Sequence, residues 1–188
     1  AAKEIVSYVP EVQNLCEIEV LQLCNIDSTN MHPKIWTELA KAVQKNFDRY
    51  DGFVVLHGTD TMAYTSAALS YMIQHSRKPI VVTGSQQPID REGTDARVNL
   101  RDSILYAMDE YSENVVLVFD GNVIAGTRAK KMQARSFNAF QSVNFPVLAR
   151  VQDGRIIRYL PYIPEREPVR FYTEISDSVC VFKLIPGT

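Results

Sequence analysis

Cysteine, histidine and charge imbalance are all scarce in this sequence, and each scarcity removes a class of function. The three cysteines, Cys16, Cys24 and Cys180, are an odd number without metal-type spacing. They read as buried thiols in a reducing compartment rather than as a disulfide framework. The three histidines are also poorly placed for catalysis. His57 shares a face with Thr59 only if its strand persists, His32 falls at a helix start, and His75 falls near a helix end. A serine–histidine–acid triad is therefore unsupported. No set of His, Cys and Asp has zinc-ligand spacing, so neither a metal nor another cofactor is expected. Lysine and arginine number 20 against 22 acids, for a net charge of −2. The densest basic cluster is only Arg128, Lys130 and Lys131, which argues against a nucleic-acid or membrane-surface partner. No stretch approaches a membrane-spanning length, and no signal-peptide pattern stands at the start. Internal repeats and low-complexity segments are missing too.

What is present is an alternation of two periodicities. With 188 residues, 46% of them hydrophobic, the chain is ample for one well-buried domain and short for two. "EIEVLQL" (Glu17 to Leu23) is β-rich, with Ile18 and Val20 on one face. After the turn-like "DSTNMHP", the residues Ile35, Leu39, Val43 and Phe47 recur every fourth position behind Pro33, which predicts an amphipathic helix to Arg49. "GFVVLHG" predicts a buried strand, followed by a helix through Leu69, Met72 and Ile73. "IVVTG" opens with a second apolar strand. The next helix is expected to bury Leu100, Ile104, Met108 and Tyr111, with Asp95 as its cap. "NVVLVFDG" (Asn114 to Gly121) is a third apolar strand. Strands apolar on both faces and separated by helices predict an α/β fold, a mainly parallel sheet with helices on both faces. Gln152-Asp153-Gly154 between β-rich runs predicts a β-hairpin in the C-terminal part. Three prolines in "YLPYIPEREPVR" suit an extended linker. "SVCVFKLIPGT" begins another strand that has no partner following it.

Ligands of such sheets bind beyond the carboxyl ends of the strands. "DSTNM", "HGTDT", "TGSQQP" and "FDGNVIAGTRAKK" all fall there. Thr59 or Asp60 at a helix start is explained equally well by ordinary capping or by a hydroxyl nucleophile or proton relay, which needs an adjacent base. The remaining base is a lysine, Lys130 or Lys131, if desolvation or a neighbouring cation depresses its pKa; a solvated basic loop is the competing reading. Ser28 and Ser85 can each bind a carboxylate with nearby backbone N–H groups, or simply form turns.

Together these stretches resemble the L-asparaginase/glutaminase family, closest to its cytoplasmic type I branch. The resemblance rests on "DGFVVLHGTDTMAYTSAALSYM" and "KPIVVTGSQQP", with "DSTNM" and "FNAFQSVN" in the same order, and covers nearly the whole chain. It implies a cytoplasmic amidohydrolase converting L-asparagine, with L-glutamine as a second candidate, to the acid and ammonia by threonine-based acyl transfer. Thr59, Lys131 and Asp60 match the family's Thr-Lys-Asp triad, Lys131 being five residues beyond Gly126; Lys130 has no match. Asp60 also matches the residue that holds the substrate's α-amino group. Ser28, with Thr29 beside it, matches the serine that binds the α-carboxylate. Gly58 and Thr59 complete that binding set, and the Ser85 region matches the loop around the amide. The complete protein is expected to be a homo-oligomer, a dimer or tetramer, with a small-molecule substrate.

The departures are as specific. The family's opening strand with its Thr-Gly-Gly-Thr-Ile type nucleophile loop has no counterpart here. The expected organisation is an asparaginase-like domain over 1–160, a linker over 161–178 and the start of a truncated C-terminal domain over 179–188. Opening on Ala1 rather than Met suggests a processed product, an internal piece that is poorly active by itself. Two alternatives stand beside it: an amidotransferase subunit releasing ammonia for a tRNA-linked reaction, and a non-catalytic amino-acid-binding module.

Overall fold

The computed structural model describes residues 5–186. Helices α1 (Pro10–Gln13), α2 (Pro33–Asn46), α3 (Met62–Met72) and α4 (Ala96–Ala107) surround strands β1 (Phe53–Leu56), β3 (Ile80–Thr83) and β4 (Val115–Phe119). The remaining strands are β2 (Ile73–Gln74), β5 (Asn122–Ala125), β6 (Ala129–Lys131), β7 (Phe140–Ser142), β8 (Ala149–Gln152), β9 (Arg155–Arg158) and β10 (Arg170–Phe171).

The main sheet runs β1-β3-β4-β5-β8-β9. β1 pairs parallel with β3, Phe53 opposite Ile80, and β3 pairs parallel with β4. From β4 onward the pairing is antiparallel. Both faces of the parallel part are covered, as its continuous apolar strands require. Ile80 and Val82 of β3, with Val115, Leu117 and Phe119 of β4, pack against Leu39, Ala40 and Val43 of α2 and Met62, Leu69 and Met72 of α3. The intervening Val81, Val116 and Val118 face Tyr106 of α4. The same helix sends Leu100 and Ile104 against Val12 of α1 and Val9 just before it. Burying each such aliphatic side chain contributes about 1.5–3 kcal/mol.

The hairpin at Asp153-Gly154 forms as its sequence predicts, with φ of 52° and 71°. Asp120-Gly121 repeats the device, φ 50° and 71°, and folds β5 back on β4. Four expectations are corrected. "EIEVLQL" forms no strand: residues 16, 18 and 20 are half-buried in alternation with exposed neighbours, but among the described residues no chain pairs with them. Residues 179–186 form none either; Val181 is 94% exposed, and no described residue supplies a ladder partner. Met108 and Tyr111 lie past the end of α4 and are exposed. Of the cysteines, Cys24 and Cys180 are exposed and Cys16 is half-buried, because they sit on or beside those unpaired segments.

The proline-rich segment is tied down. β10 pairs with β2, Glu165 accepts from or pairs with His75 at 3.2 Å, and Tyr162 donates to Glu113 at 2.9 Å. No helix among the described residues is long and apolar enough to cross a membrane.

Candidate active site

Leu56 and Thr83 are register partners at the carboxyl ends of β1 and β3, so the loops that follow them leave the sheet side by side. His57 N–H still donates to the Thr83 carbonyl at 2.8 Å. The chain then turns through Gly58, Thr59 and Asp60 into α3. Capping does not explain these residues. The cap position is Thr61, which makes no side-chain cap bond; its hydroxyl donates instead to the Ser28 carbonyl at 2.7 Å.

Thr59 and Asp60 are turned toward β6. Lys131 Nζ donates to Thr59 Oγ1 at 2.7 Å and to Asp60 Oδ1 at 2.7 Å. The lysine side chain is 17% exposed and the aspartate 58%. Lys130, its neighbour on the strand, is exposed, so of the two lysines only Lys131 reaches the threonine. The geometry can hold a hydroxyl between a cationic donor and a second acceptor, beside a carboxylate open to a bound cation.

Ser28 lies under this turn. A Cβ on Gly58 would stand 2.7 Å from Ser28 Oγ and 2.8 Å from its Cβ, so only glycine lets the two loops meet. Ser28 is buried within a 3-10 turn, Ser28–Asn30, capped by Asp27, which accepts from the Thr29 N–H and hydroxyl, each at 2.8 Å. Those two bonds hold the Asp27 carboxyl below its ordinary range. The Thr29 hydroxyl is thus committed to Asp27, and that of Ser85 to the Gln87 carbonyl at 2.7 Å. Any contact of these two hydroxyls with a ligand would use their lone pairs or the adjacent backbone.

Residues without a distinctive motif of their own complete the site. Gln86 Oε1 accepts from Thr59 Oγ1 at 3.0 Å. Asp95, expected from its position to cap α4, makes no such bond and instead accepts from the N–H groups of Gln86 (2.8 and 3.1 Å) and Gln87 (3.1 Å). Thr94 takes over the capping, its hydroxyl accepting from Ala96 N–H at 3.1 Å. Asn99 Nδ2 ties Asp95 (3.3 Å) to the Gly84 carbonyl (2.9 Å). Gln86 stands in "TGSQQP", a stretch that its place after a strand and the family resemblance both mark, although neither singles out this glutamine.

His57 belongs to a separate chain of bonds. The Gly58 carbonyl can only accept, so His57 Nδ1 donates to it at 2.7 Å. Nε2 then accepts from the Thr65 hydroxyl at 2.8 Å, and Thr65 in turn accepts from Trp36 Nε1 at 2.8 Å. Burial holds His57 below the usual histidine range, against the pull of the Gly58 bond. The unfolded chain therefore takes up a proton near pH 6.5 that the folded chain refuses. Stability is complete above that pH and falls as pH drops through it. Denaturant midpoints of the wild type are expected to decline between pH of about 7.5 and about 5 more steeply than those of His57→Asn; equal slopes would remove His57 as the cause.

Among the described residues, no group of three His, Cys, Asp or Glu side chains is placed to hold a metal ion.

The sheet rim and its Thr–Lys–Asp cluster define a class, α/β domains that set a threonine hydroxyl beside a lysine and a carboxylate at the strand ends. The family model described as Asparaginase, N-terminal, matches residues 1–162, and the chain belongs to the asparaginase family. L-asparaginase of Thermococcus kodakarensis is 40% identical over 172 residues, 91% of this chain and 52% of that protein. The solved structure of the thermostable L-asparaginase from that organism superposes with a TM-score of 0.86 at 37% identity, covering 92% of this chain and 52% of the other. L-asparaginase 1 of Escherichia coli K12 is 42% identical over 123 residues, 65% of this chain and 36% of the relative. A glutamyl-tRNA(Gln) amidotransferase subunit of Metallosphaera sedula is 35% identical over 198 residues, covering 100% of this chain and 45% of that protein. The chain thus spans about half, or less, of the length of the curated relatives it matches.

Proposed function

We propose that the complete protein hydrolyses the side-chain amide of L-asparagine, and in second place that of L-glutamine, through threonine-based acyl transfer. The observation that carries this reading is the pair of 2.7 Å bonds from Lys131 to Thr59 and Asp60. In such a reaction a threonine oxygen bonds to the amide carbon, the carbon–nitrogen bond breaks, and ammonia leaves with the transferred proton. Water then cleaves the ester. Thr59 is the hydroxyl nucleophile or relay of this chain, and Lys131 is the group that accepts its proton and returns one to the leaving nitrogen. The ammonium of Lys131 must first give up a proton, since in the resting arrangement it donates to both neighbours. Ser28 and Thr29 with their backbone receive the substrate carboxylate, Asp60 its ammonium, and the Ser85 loop lies toward the amide. The protein acts in the reducing cytoplasm as a homo-oligomer, a dimer or tetramer.

Asp60 supplies a specific test. Its carboxylate is open to solvent beside Thr59, so Asp60→Asn is expected to reduce selection of L-asparagine over its α-deaminated analogue by about 1.5–3 kcal/mol, the scale of a charge-assisted bond. Steady-state kcat/KM for the two amides measures it, and equal losses on both would assign Asp60 to the lysine alone.

A second reading is favoured by the match of the whole chain to an amidotransferase subunit: ammonia is released for a tRNA-linked acceptor. Ammonia release from free asparagine or glutamine by the complete protein, with no tRNA or partner protein present, separates the two. Rapid release supports the amidohydrolase; release only with tRNA and partner supports the amidotransferase.

A further inference from the structure

We propose that Gln86 is a positioning residue that sets the hydroxyl of Thr59 against Lys131, an inference that rests on the amidohydrolase reading above. Its side chain makes three bonds, each with a direction forced by chemistry. Nε2 lies 3.1 Å from the Ala134 carbonyl and 3.0 Å from the Ser136 carbonyl. Carbonyls only accept, so the amide nitrogen must face them. The amide oxygen is thereby turned to Thr59, 3.0 Å away. An amide oxygen also only accepts, so the threonine hydroxyl donates to it. The ammonium of Lys131 has donors alone, so the threonine oxygen accepts from it. No other assignment of hydrogens satisfies all four groups.

Two consequences follow for the site. In the resting arrangement the hydrogen of Thr59 points to Gln86 and its oxygen lone pairs face the Lys131 ammonium. Once Lys131 has given up a proton, the hydroxyl turns its hydrogen from Gln86 to the lysine, which is already within reach. The rotamer of Thr59 is then held from both sides rather than by the lysine alone. Gln86 also clamps Ala134 and Ser136, in the connection between β6 and β7. That connection directly follows Lys131, so one amide fixes the spacing between the threonine loop and the lysine strand. The clamp is itself rigid. The Gln86 N–H is held by both oxygens of Asp95 at 3.1 and 2.8 Å, and Asp95 is only 9% exposed. Asn99 ties that carboxylate to the backbone of Gly84. Gln86 therefore joins three parts of the rim that are far apart in the chain: the end of β1, the end of β3 and the β6–β7 connection.

A misplacement of about 1 Å in a reacting pair can lower a rate by about 10²-fold. In the complete enzyme, Gln86→Met keeps the side-chain length and removes all three bonds. Its kcat for L-asparagine is expected to fall by about 10- to 10²-fold, with KM changed by less than about threefold. Its crystal structure is expected to show Thr59 in a different rotamer, or Lys131 beyond hydrogen-bond reach of it. Should Gln86→Met not fold, Gln86→Ala is measured in its place against the same results. A kcat within about twofold of wild type would overturn the proposal. So would a lost kcat with Thr59 and Lys131 unmoved, because the effect would then not run through Thr59. Wild-type protein that releases no ammonia from asparagine or glutamine would instead overturn the functional reading, and the crystal structure alone would then decide the role of Gln86.

Discussion

Lys131→Met in the complete protein is expected to lower kcat for L-asparagine by on the order of 10²-fold or more, the usual scale for loss of a general base. The expectation rests on position. Lys131 Nζ is bonded at 2.7 Å to Thr59 Oγ1, and its side chain is largely shielded from water. Methionine keeps the length and apolar body of the side chain while removing every donor and the charge. The fold around β6 should survive, because its partner β7 is held through backbone bonds from Ala129 to Lys131. A change concentrated in kcat, with KM nearly constant, marks an interaction realised in the reaction rather than in binding. Lys130→Met is the matched comparison: Lys130 is exposed on the same strand, and its loss should leave kcat within about twofold. Equal rates for the two variants would return Lys131 to the status of a solvated basic loop.

The largest expected loss of stability lies at Gly84. A Cβ built there would stand 2.0 Å from the His57 carbonyl oxygen, 3.2 Å from its carbon and 3.2 Å from the Met62 terminal methyl. The first two are backbone atoms at the end of β1, held by the His57 N–H bond to Thr83. They cannot move aside as a side chain would. Overpacking a core with extra carbon ordinarily costs about 1–3 kcal/mol. With backbone as the obstacle, Gly84→Ala is expected to cost about 3 kcal/mol, read from chemical-denaturation midpoints at constant slope. It should also separate the loop of Thr59 from that of Gln86, so residual activity in the folded fraction should fall. Unchanged stability would mean that the two loops do not pack this closely.

The separate elements were legible in the sequence wherever local pattern decides structure. Helices α2, α3 and α4 and strands β1, β3 and β4 follow from apolar period and from Pro33 at a helix start. The hairpin at Asp153-Gly154 follows from turn chemistry. The same Asp-Gly signal at 120–121 marks the β4–β5 hairpin, although on the sequence it reads only as the end of a strand. Pattern failed where a strand depends on a partner. Residues 17–23 and 179–186 have β-rich composition, but an extended chain becomes a strand only when another chain accepts its ladder bonds.

The site divides along the same line. Thr59, Asp60, Ser28, Ser85 and Lys131 could be picked out as polar groups expected on one rim, because residue type and place after a strand are local properties. Which lysine faces the threonine could not be found that way from charge alone, since Lys130 and Lys131 are neighbours that β6 directs to opposite faces. Nor could the use of Asp95, whose position beside α4 predicts a cap while its carboxylate binds the Gln86 loop. Gln86 is the clearest case. Its three partners come from Thr59, Ala134 and Ser136, 27, 48 and 50 residues away. The sequence by itself determined the elements, the family resemblance and the residue types of the rim. Only the tertiary structure decided who bonds to whom, because hydrogen bonds between loops depend on how parallel strands are stacked in register and not on neighbours along the chain.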